Sequence, residues 1–574
     1  MQHPMGVICA ALAVLMISCG QGQGQAPAAS SGQPAQSRTL VVAHRIETAT
    51  LAPKVLGTNS PLRNTRLFNA ALSLIDDQGR FLPYLAESLP QLDTDSWRVF
   101  PDGRMETTYP LRANLTWHDG TPLTADDFVF ALRVYKDPGL GVFIASPQDT
   151  IDAVLAPDPR TVVVRWRSTN PDGGSLTFED LDPLPSHLLE APFNDYTAGR
   201  LGGDAFLNSS SWTTAYVGAG PYRLERWDPG VQLVGTAFDR HALGRPKIDR
   251  IVMRIFTDEN STLASILAGG QLDYACCRTL RFEHFVTLKR EWEAAGKGTA
   301  VAAPANTAFL FLQQRPEYVG HRGLLDLRVR RALAHAIDRQ AINDGVFDGL
   351  GAPTETIVPS DVPFYREVDR LITKYPRDLN RSAQLMNEAG YTRDAEGFFA
   401  DGQGSRFHVD FAVQDASEIE RMQQILSDSW RRAGFDVRTV VMGIQLFTQL
   451  ETRQTLPGLS YAAGGNESTF RASQVGTAAN RWSGTNRSGW TSPEYDRLND
   501  AWNSTLDPTE RGRYVAQMMA IVSENLPAYS LYFLPDVKSW VSSLQGPTTK
   551  ENSGFGRTSK GTTVYWDIHN WTFR

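Results

Sequence analysis

The segment Phe407–Val441 constrains the fold of this chain most. Phe407, Val409, Phe411 and Val413 recur at period two, the pattern of a half-buried strand. Ser417 and Glu420 follow with capping-box spacing, and Ile419, Met422, Leu426, Trp430 and Ala433 then recur at helical spacing. Gly434 closes that helix, and Phe435, Val437, Thr439 and Val441 alternate again. Strand, helix and strand in this order predict a right-handed crossover between two parallel strands. Other segments agree with an α/β chain. Residues 39–43, 161–166, 231–234 and 250–256 read as short apolar strands. Asp326, Asp338 and Asp378 each precede a helical apolar pattern, the third one ended by Gly390. No internal repeat or heptad run is present, and 574 residues exceed what one hydrophobic core supports, so at least two domains are expected.

A second ordered pattern spans Trp97–Val129. Pro101-Asp102-Gly103 is a turn, Met105, Thr107, Tyr109 and Leu111 alternate as a strand, and His118-Asp119-Gly120-Thr121-Pro122 turns the chain again. Thr124 and Asp127 then stand at capping-box spacing before Phe128, Ala131, Leu132 and Tyr135 on one helical face.

The net charge of −7 argues against a nucleic-acid binder, which would show a basic face. Met5–Ser18 has the length of a signal-peptide apolar region, too short to span a bilayer. It ends in Leu15-Met16-Ile17-Ser18-Cys19-Gly20, which resembles a bacterial lipobox and implies lipidation at Cys19, although positive residues before the apolar run are missing. Gln21–Ser37 is rich in Gly, Gln, Ala, Ser and Pro and reads as a flexible tether. Beyond the export segment the chain carries only Cys276 and Cys277. Adjacent cysteines either close an eight-membered ring or stay reduced, and partly buried thiols with a packing role are the expectation.

The sequence contains no G-x-S-x-G elbow, H-E-x-x-H or G-x-x-x-x-G-K-[ST] loop. The ten His are scattered singly, with His118 expected as a hydrogen-bonded turn residue and His335 as a packing residue. Asp126-Asp127 reads as a helix cap and Asp76-Asp77 as a turn. No metal ligand cluster and no cofactor motif is visible.

The order W…PDG…LR…W-H-D-G-T-P-x-T-A-D-D over residues 97–127 resembles the extracytoplasmic solute-binding proteins of peptide- and nickel-type ABC importers, the family 5 or oligopeptide-binding type. Further stretches resemble that family in order: Gly218–Leu224 (GAGPYRL), Leu267–Asp273 (LAGGQLD), Asp326–Arg339 (DLRVRRALAHAIDR), Asn380–Tyr391, Pro493–Leu498 and Asn525-Leu526-Pro527 with Leu531-Tyr532. The resemblance covers about Thr39 to Gly546 and implies a two-lobed periplasmic-binding-protein fold of type II. That is α/β, with an extra domain inserted in the first lobe and a ligand cleft between lobes. Implied boundaries are a signal peptide over 1–18 and a tether over 19–37. The first lobe takes 38–62, 176–300 and 525–574, the inserted domain 63–175, and the second lobe 301–524.

The implied function is a non-enzymatic, monomeric receptor, exported and lipid-anchored on the outer face of the cytoplasmic membrane or in the periplasm. It would deliver a small, peptide-like solute to ABC permease subunits by hinge closure. A secreted hydrolase on an α/β scaffold and a non-transport solute sensor are the alternatives. In the family, interlobe loops after strands contact ligand, which makes Trp212, Tyr216, Tyr461, Asn466, Glu467, Phe470, Arg481 and Trp482 the candidate contacts. Peptide-binding relatives often carry an amine-pairing Asp in a W-x-A-D-x-x-D-P-like segment. This chain has Leu459–Glu467 (LSYAAGGNE) there, so that Asp is absent and Glu467 is the nearby acid.

Overall fold

Period-two and 3.6-residue patterning assemble here into one large mixed sheet with helices on its faces. The computed structural model describes residues 38–45, 47–52, 66–140, 148–178, 180–549, 555 and 564–574. Cys19 and the export segment lie outside them. Across the main sheet the order is Asp436–Met442, His408–Gln414, Leu459–Ala463, Gly298–Leu312, Ala528–Val541, Tyr274–Ala275, Thr39–His44, Arg250–Ile255, Gln232–Ala237 and Tyr222–Asp228. A separate four-stranded sheet combines Trp97–Val99, Met105–Pro110, Thr161–Trp166 and Ile151–Asp158.

Two strands carry the chain between halves. Gly298–Leu312 and Ala528–Val541 run antiparallel along nearly their whole length. Their first shared half, Gly298↔Val541 to Pro304↔Pro535, belongs with Tyr274–Ala275 and Thr39–His44; the rest, Thr307↔Phe533 to Phe311↔Ala528, belongs with Leu459–Ala463. Register breaks between Pro304 and Thr307 and again between Ala308 and Phe309. Facing prolines supply no N–H to the ladder, so the pairing is weakest where the chain crosses.

This arrangement separates the cores. One cluster joins Leu40, Val42 and Tyr274 to Trp117, Tyr109, Trp166, Tyr565 and Trp571, so the inserted region shares the first lobe's core. A second packs Leu310, Leu333, Phe411, Leu426, Trp430 and Tyr529. A third, also in the second lobe, packs Phe311, Phe470, Tyr495 and Met519.

Thr124 and Asp127 form the capping box of Ala125–Tyr135. Asp326, Asp338 and Asp378 each accept from backbone N–H groups at the starts of their helices. Thr39–His44 and Thr161–Trp166 are strands. His408–Gln414 and Asp436–Met442 pair in parallel around Ser417–Arg432, whose Ile419, Met422, Leu426 and Trp430 are buried. The expected box at its start is absent: Ala416 is the N-cap, and the Ser417 hydroxyl instead accepts from Arg281, 136 residues away. Val441, expected inside, is 49% exposed because its strand forms the outer edge of the sheet. Cys276 and Cys277 are joined as a disulfide, where free thiols were expected. Among the described residues no helix is long and apolar enough to cross a membrane.

Candidate functional site

Register fixes which edges of the two half-sheets face each other. Thr39–His44 is parallel to Arg250–Ile255 and Tyr274–Ala275, and Ala275 pairs with Ser539 one step nearer the crossing than Tyr274↔Trp540. The carboxyl ends of these strands therefore point toward the second lobe. There, Ala463 pairs with Ala308 and Leu459 with Leu312, so the carboxyl end of Leu459–Ala463 points back. His408–Gln414 is parallel to it. Ligands of open α/β sheets bind outside the carboxyl ends of the strands, and here two such edges are apposed.

The first lobe presents Arg45, Glu259 and the loop Cys276–Arg281. Arg45 pairs with Glu259, and Arg281 Nε lies 3.1 Å from the same carboxylate. Cys276 is fully buried, its sulfur 3.5 Å from the Tyr565 hydroxyl, which in turn lies 2.8 Å from His44 Nε2. Cys277 and Arg278 both adopt left-handed backbone, φ 64° each, and Arg278 is exposed. Ligating atoms of His44, Cys276 and Cys277 fall within 4.8 Å of one another. Sulfurs bonded to each other are not thiolates, so this oxidised set does not fit a metal.

The second lobe presents the first turn of Ser417–Arg432 and the end of Leu459–Ala463. Across the gap, Arg281 Nη1 donates to Ser417 Oγ at 2.7 Å and Arg421 lies 3.9 Å from Glu283. Arg511 lies 3.6 Å from Asp172 of the inserted region. Glu418 is half-buried on that first turn. Burial pushes its carboxyl above the usual carboxylate range; Glu283 adds to the rise, while Arg281, Arg421 and Arg278 oppose it. Burial also raises the phenols of Tyr461 and Tyr532, with the Glu418 charge contributing to both. The helix under Glu418 is held by Trp430, whose indole donates to the Leu333 carbonyl at 2.9 Å, and by Gln423, which donates to the Phe411 carbonyl at 2.6 Å.

Of the eight candidates from sequence, Tyr461 stands at this edge, with its ring buried. Asn466 is exposed beyond it and bonded within its own turn to Ser468 and Thr469. The others stand elsewhere. Trp212 is 1% exposed, packs edge-on against Phe206 and donates to the Phe206 carbonyl. Tyr216 is buried with its hydroxyl on Asn69. Phe470 lies in the third core, and the buried Glu467 offers its carbonyl to Tyr495 and Asn499. Arg481 and Trp482 belong to a loop carried to the opposite, amino-terminal edge, where Trp482 meets Tyr318 at 6.2 Å. Backbone pairing of Gln313 with Gly458 and of Gly320 with Pro457 marks that edge. Arg278, which is exposed, and Glu418, which is half-buried, belong to these elements and were not among the candidates from sequence.

The GAGPY turn serves structure. Gly220 N donates to the Phe68 carbonyl, and a Cβ at Gly220 would meet Asn69 N and the Phe68 carbonyl carbon at 2.4 Å. His118 is buried with Nε2 3.0 Å from the Gly220 carbonyl and Nδ1 accepting from Gly218 N.

Residues 87–483 match the family model described as bacterial extracellular solute-binding proteins, family 5 Middle. The chain belongs to that family. It is 26% identical over 539 residues to Protein XP55 of Streptomyces lividans, covering 91% of this chain and 90% of that one. Its fold is similar to that of NikZ from Campylobacter jejuni in complex with Ni(L-His), with TM-score 0.74, 20% identity, and 93% and 99% of the two chains covered. It is likewise similar to an oligopeptide-binding protein from Thermus thermophilus complexed with a pentapeptide, with TM-score 0.74, 20% identity, and 94% and 96% covered. The two-lobed periplasmic-binding-protein fold is thus that of its family, and the chain is a bacterial extracellular solute-binding protein.

Proposed function

We propose that this receptor captures a small, peptide-like solute between the two apposed carboxyl edges. It then delivers the solute to an ABC permease by closure about the two crossing strands, with no covalent step. Apposition of the edges across a register break at Pro304–Thr307 carries this reading. A ligand that touches both lobes favours the closed form, whereas equal affinity for both forms shifts nothing. Tyr461 and Asn466 are the candidates from sequence that border this edge. Cys19 holds the monomer at the membrane through a lipid, and the 19–37 tether keeps it within reach of its permease. The first lobe takes 38–62, 176–300 and 525–574, the inserted domain 63–175, and the second lobe 301–524.

Native mass spectrometry of freshly purified protein, followed by denaturation, tests the reading. It predicts a one-to-one non-covalent adduct that releases a solute of unchanged mass when re-incubated with fresh protein. Conversion of that solute to a product on re-incubation would instead favour the hydrolase alternative.

A further inference from the structure

Strand register in the first lobe sets three soft-ligand side chains side by side. Val42 pairs with Tyr274 and Ala43 with Ala275 in parallel, so His44 and Cys276 leave the ladder together on the face of Val42 and Tyr274. That face lies in the first lobe's core, where Val42, Tyr274 and Cys276 share a cluster with Tyr565 and Trp571. A ring nitrogen of His44 and the sulfurs of Cys276 and Cys277 lie within 4.8 Å of one another. The Tyr565 hydroxyl joins the two elements, 2.8 Å from His44 Nε2 and 3.5 Å from Cys276 Sγ. His44 and Cys276 are buried, whereas Cys277 is half-buried. The turn is also pinned apart from the disulfide: Thr279 donates to the Cys276 carbonyl through its hydroxyl at 2.8 Å and through its N–H at 3.1 Å.

Reduction changes what this set can do, and a dithiol can supply the electrons. Its thiolate attacks the Cys277 sulfur, the accessible one; the bond to Cys276 breaks, and the electron pair stays on the Cys276 sulfur, which takes a proton. The second thiol of the reductant then displaces Cys277 and leaves as a disulfide, so two electrons and two protons pass to the protein. A divalent cation bound there displaces both protons, leaving two thiolates and a neutral imidazole as ligands. The charges then sum to zero, which a buried site tolerates, whereas an uncompensated dithiolate would be costly. Hard cations prefer oxygen ligands, while thiolate and imidazole suit zinc. Tetrahedral zinc holds such ligand atoms roughly 3.6–3.8 Å apart, inside the 4.8 Å span already present.

We propose that the Cys276–Cys277 disulfide masks a metal site: once it is reduced, both thiolates and His44 bind one thiophilic divalent cation of the zinc class. Tyr565 orients the His44 imidazole as a partner outside the ligand set, and water takes the fourth position. All three ligands belong to the first lobe, so the site needs neither a solute nor closure. It stands whatever the solute of the receptor is.

The test uses the full chain with Cys9→Ser and Cys19→Ser in every sample, so that Cys276 and Cys277 are the only cysteines. One portion is reduced with dithiothreitol and desalted without oxygen; the other stays oxidised. Both are titrated with zinc chloride against a chromophoric chelator. The reduced chain should take up one zinc and release two protons, and the oxidised chain none. Tyr565→Phe, which keeps the ring and drops the hydroxyl on His44, should weaken binding by about 10-fold, and His44→Gln and Cys277→Ser each by about 100-fold or more. Cobalt(II) in place of zinc should give thiolate charge-transfer absorption on reduced protein only, a signature of ligation that a folding defect does not produce. Melting temperatures without metal are compared across the variants. Equal zinc uptake by oxidised protein, no uptake by reduced protein, or undiminished binding in both His44→Gln and Cys277→Ser would overturn the inference and leave the disulfide as a clamp on its turn.

Discussion

Replacing Ser417 by alanine removes the acceptor that Arg281 reaches at 2.7 Å across the lobes. Alanine is the better helix former by about 0.5 kcal/mol, but Ser417–Arg432 is helical whether the lobes are together or apart, so that gain cancels from the open–closed difference. What remains is one hydrogen bond from a charged donor to a neutral hydroxyl. Such a bond contributes roughly 1.5–3 kcal/mol when buried. The contact here is exposed, and Arg281 keeps Glu259 as a partner in either state. Solvent screening then reduces the contribution to about 0.5–1 kcal/mol. The closed-to-open ratio should fall about two- to five-fold. Single-molecule fluorescence transfer between labels on the two lobes, without ligand, measures that ratio directly. A ratio unchanged in Ser417→Ala, or one shifted toward closure, would refute the idea that this bond belongs to the closed form.

Gly220→Ala forces the backbone at Phe68–Asn69 to move and should cost about 2–3 kcal/mol in urea unfolding. Gly402→Ala, with nothing within 4 Å, should stay within about 0.5 kcal/mol of wild type, and equal effects would discredit the close-approach argument. His118 is held down to about 4 and His241 to about 3, in both cases chiefly by burial. Their folded values lie below the unfolded value of about 6.5, so their contribution is full above that pH and is lost as pH falls toward about 4, by about 3 kcal/mol for His118. His118→Gln, which keeps a donor and an acceptor but does not titrate, should flatten the pH dependence of the urea midpoint; an unchanged slope would contradict the assignment. Alkylation of unfolded protein without reductant should leave Cys276 and Cys277 unmodified, and labelling of either would show that the disulfide is not the state of the protein.

Elements specified by near neighbours were legible in the sequence. Asp326, Asp338 and Asp378 cap helices because each accepts from an N–H two or three residues away, and Thr161–Trp166 alternates because one face is buried. What local pattern did not show depends on distant partners. Ser417 fits a local capping box, yet its hydroxyl is met by Arg281 from the other lobe. Trp212 and Tyr216 occur in a loop, and only the fold reveals that Phe206 and Asn69 close over them. Arg481 and Trp482 follow Tyr461 closely in sequence, but the intervening chain returns to the amino-terminal edge before reaching them. Which edge a loop occupies is decided by strand direction, and strand direction at Leu459–Ala463 comes from its antiparallel pairing with Gly298–Leu312.

The claim on which the account depends is that one solute engages the carboxyl edges of both half-sheets at once. Hydrogen–deuterium exchange, with and without the solute released from denatured protein, measures this most directly. Simultaneous protection of 276–281 in the first lobe and of 416–421 and 463–467 in the second is the predicted result. Protection confined to one lobe, or placed at the 476–489 loop, would contradict it.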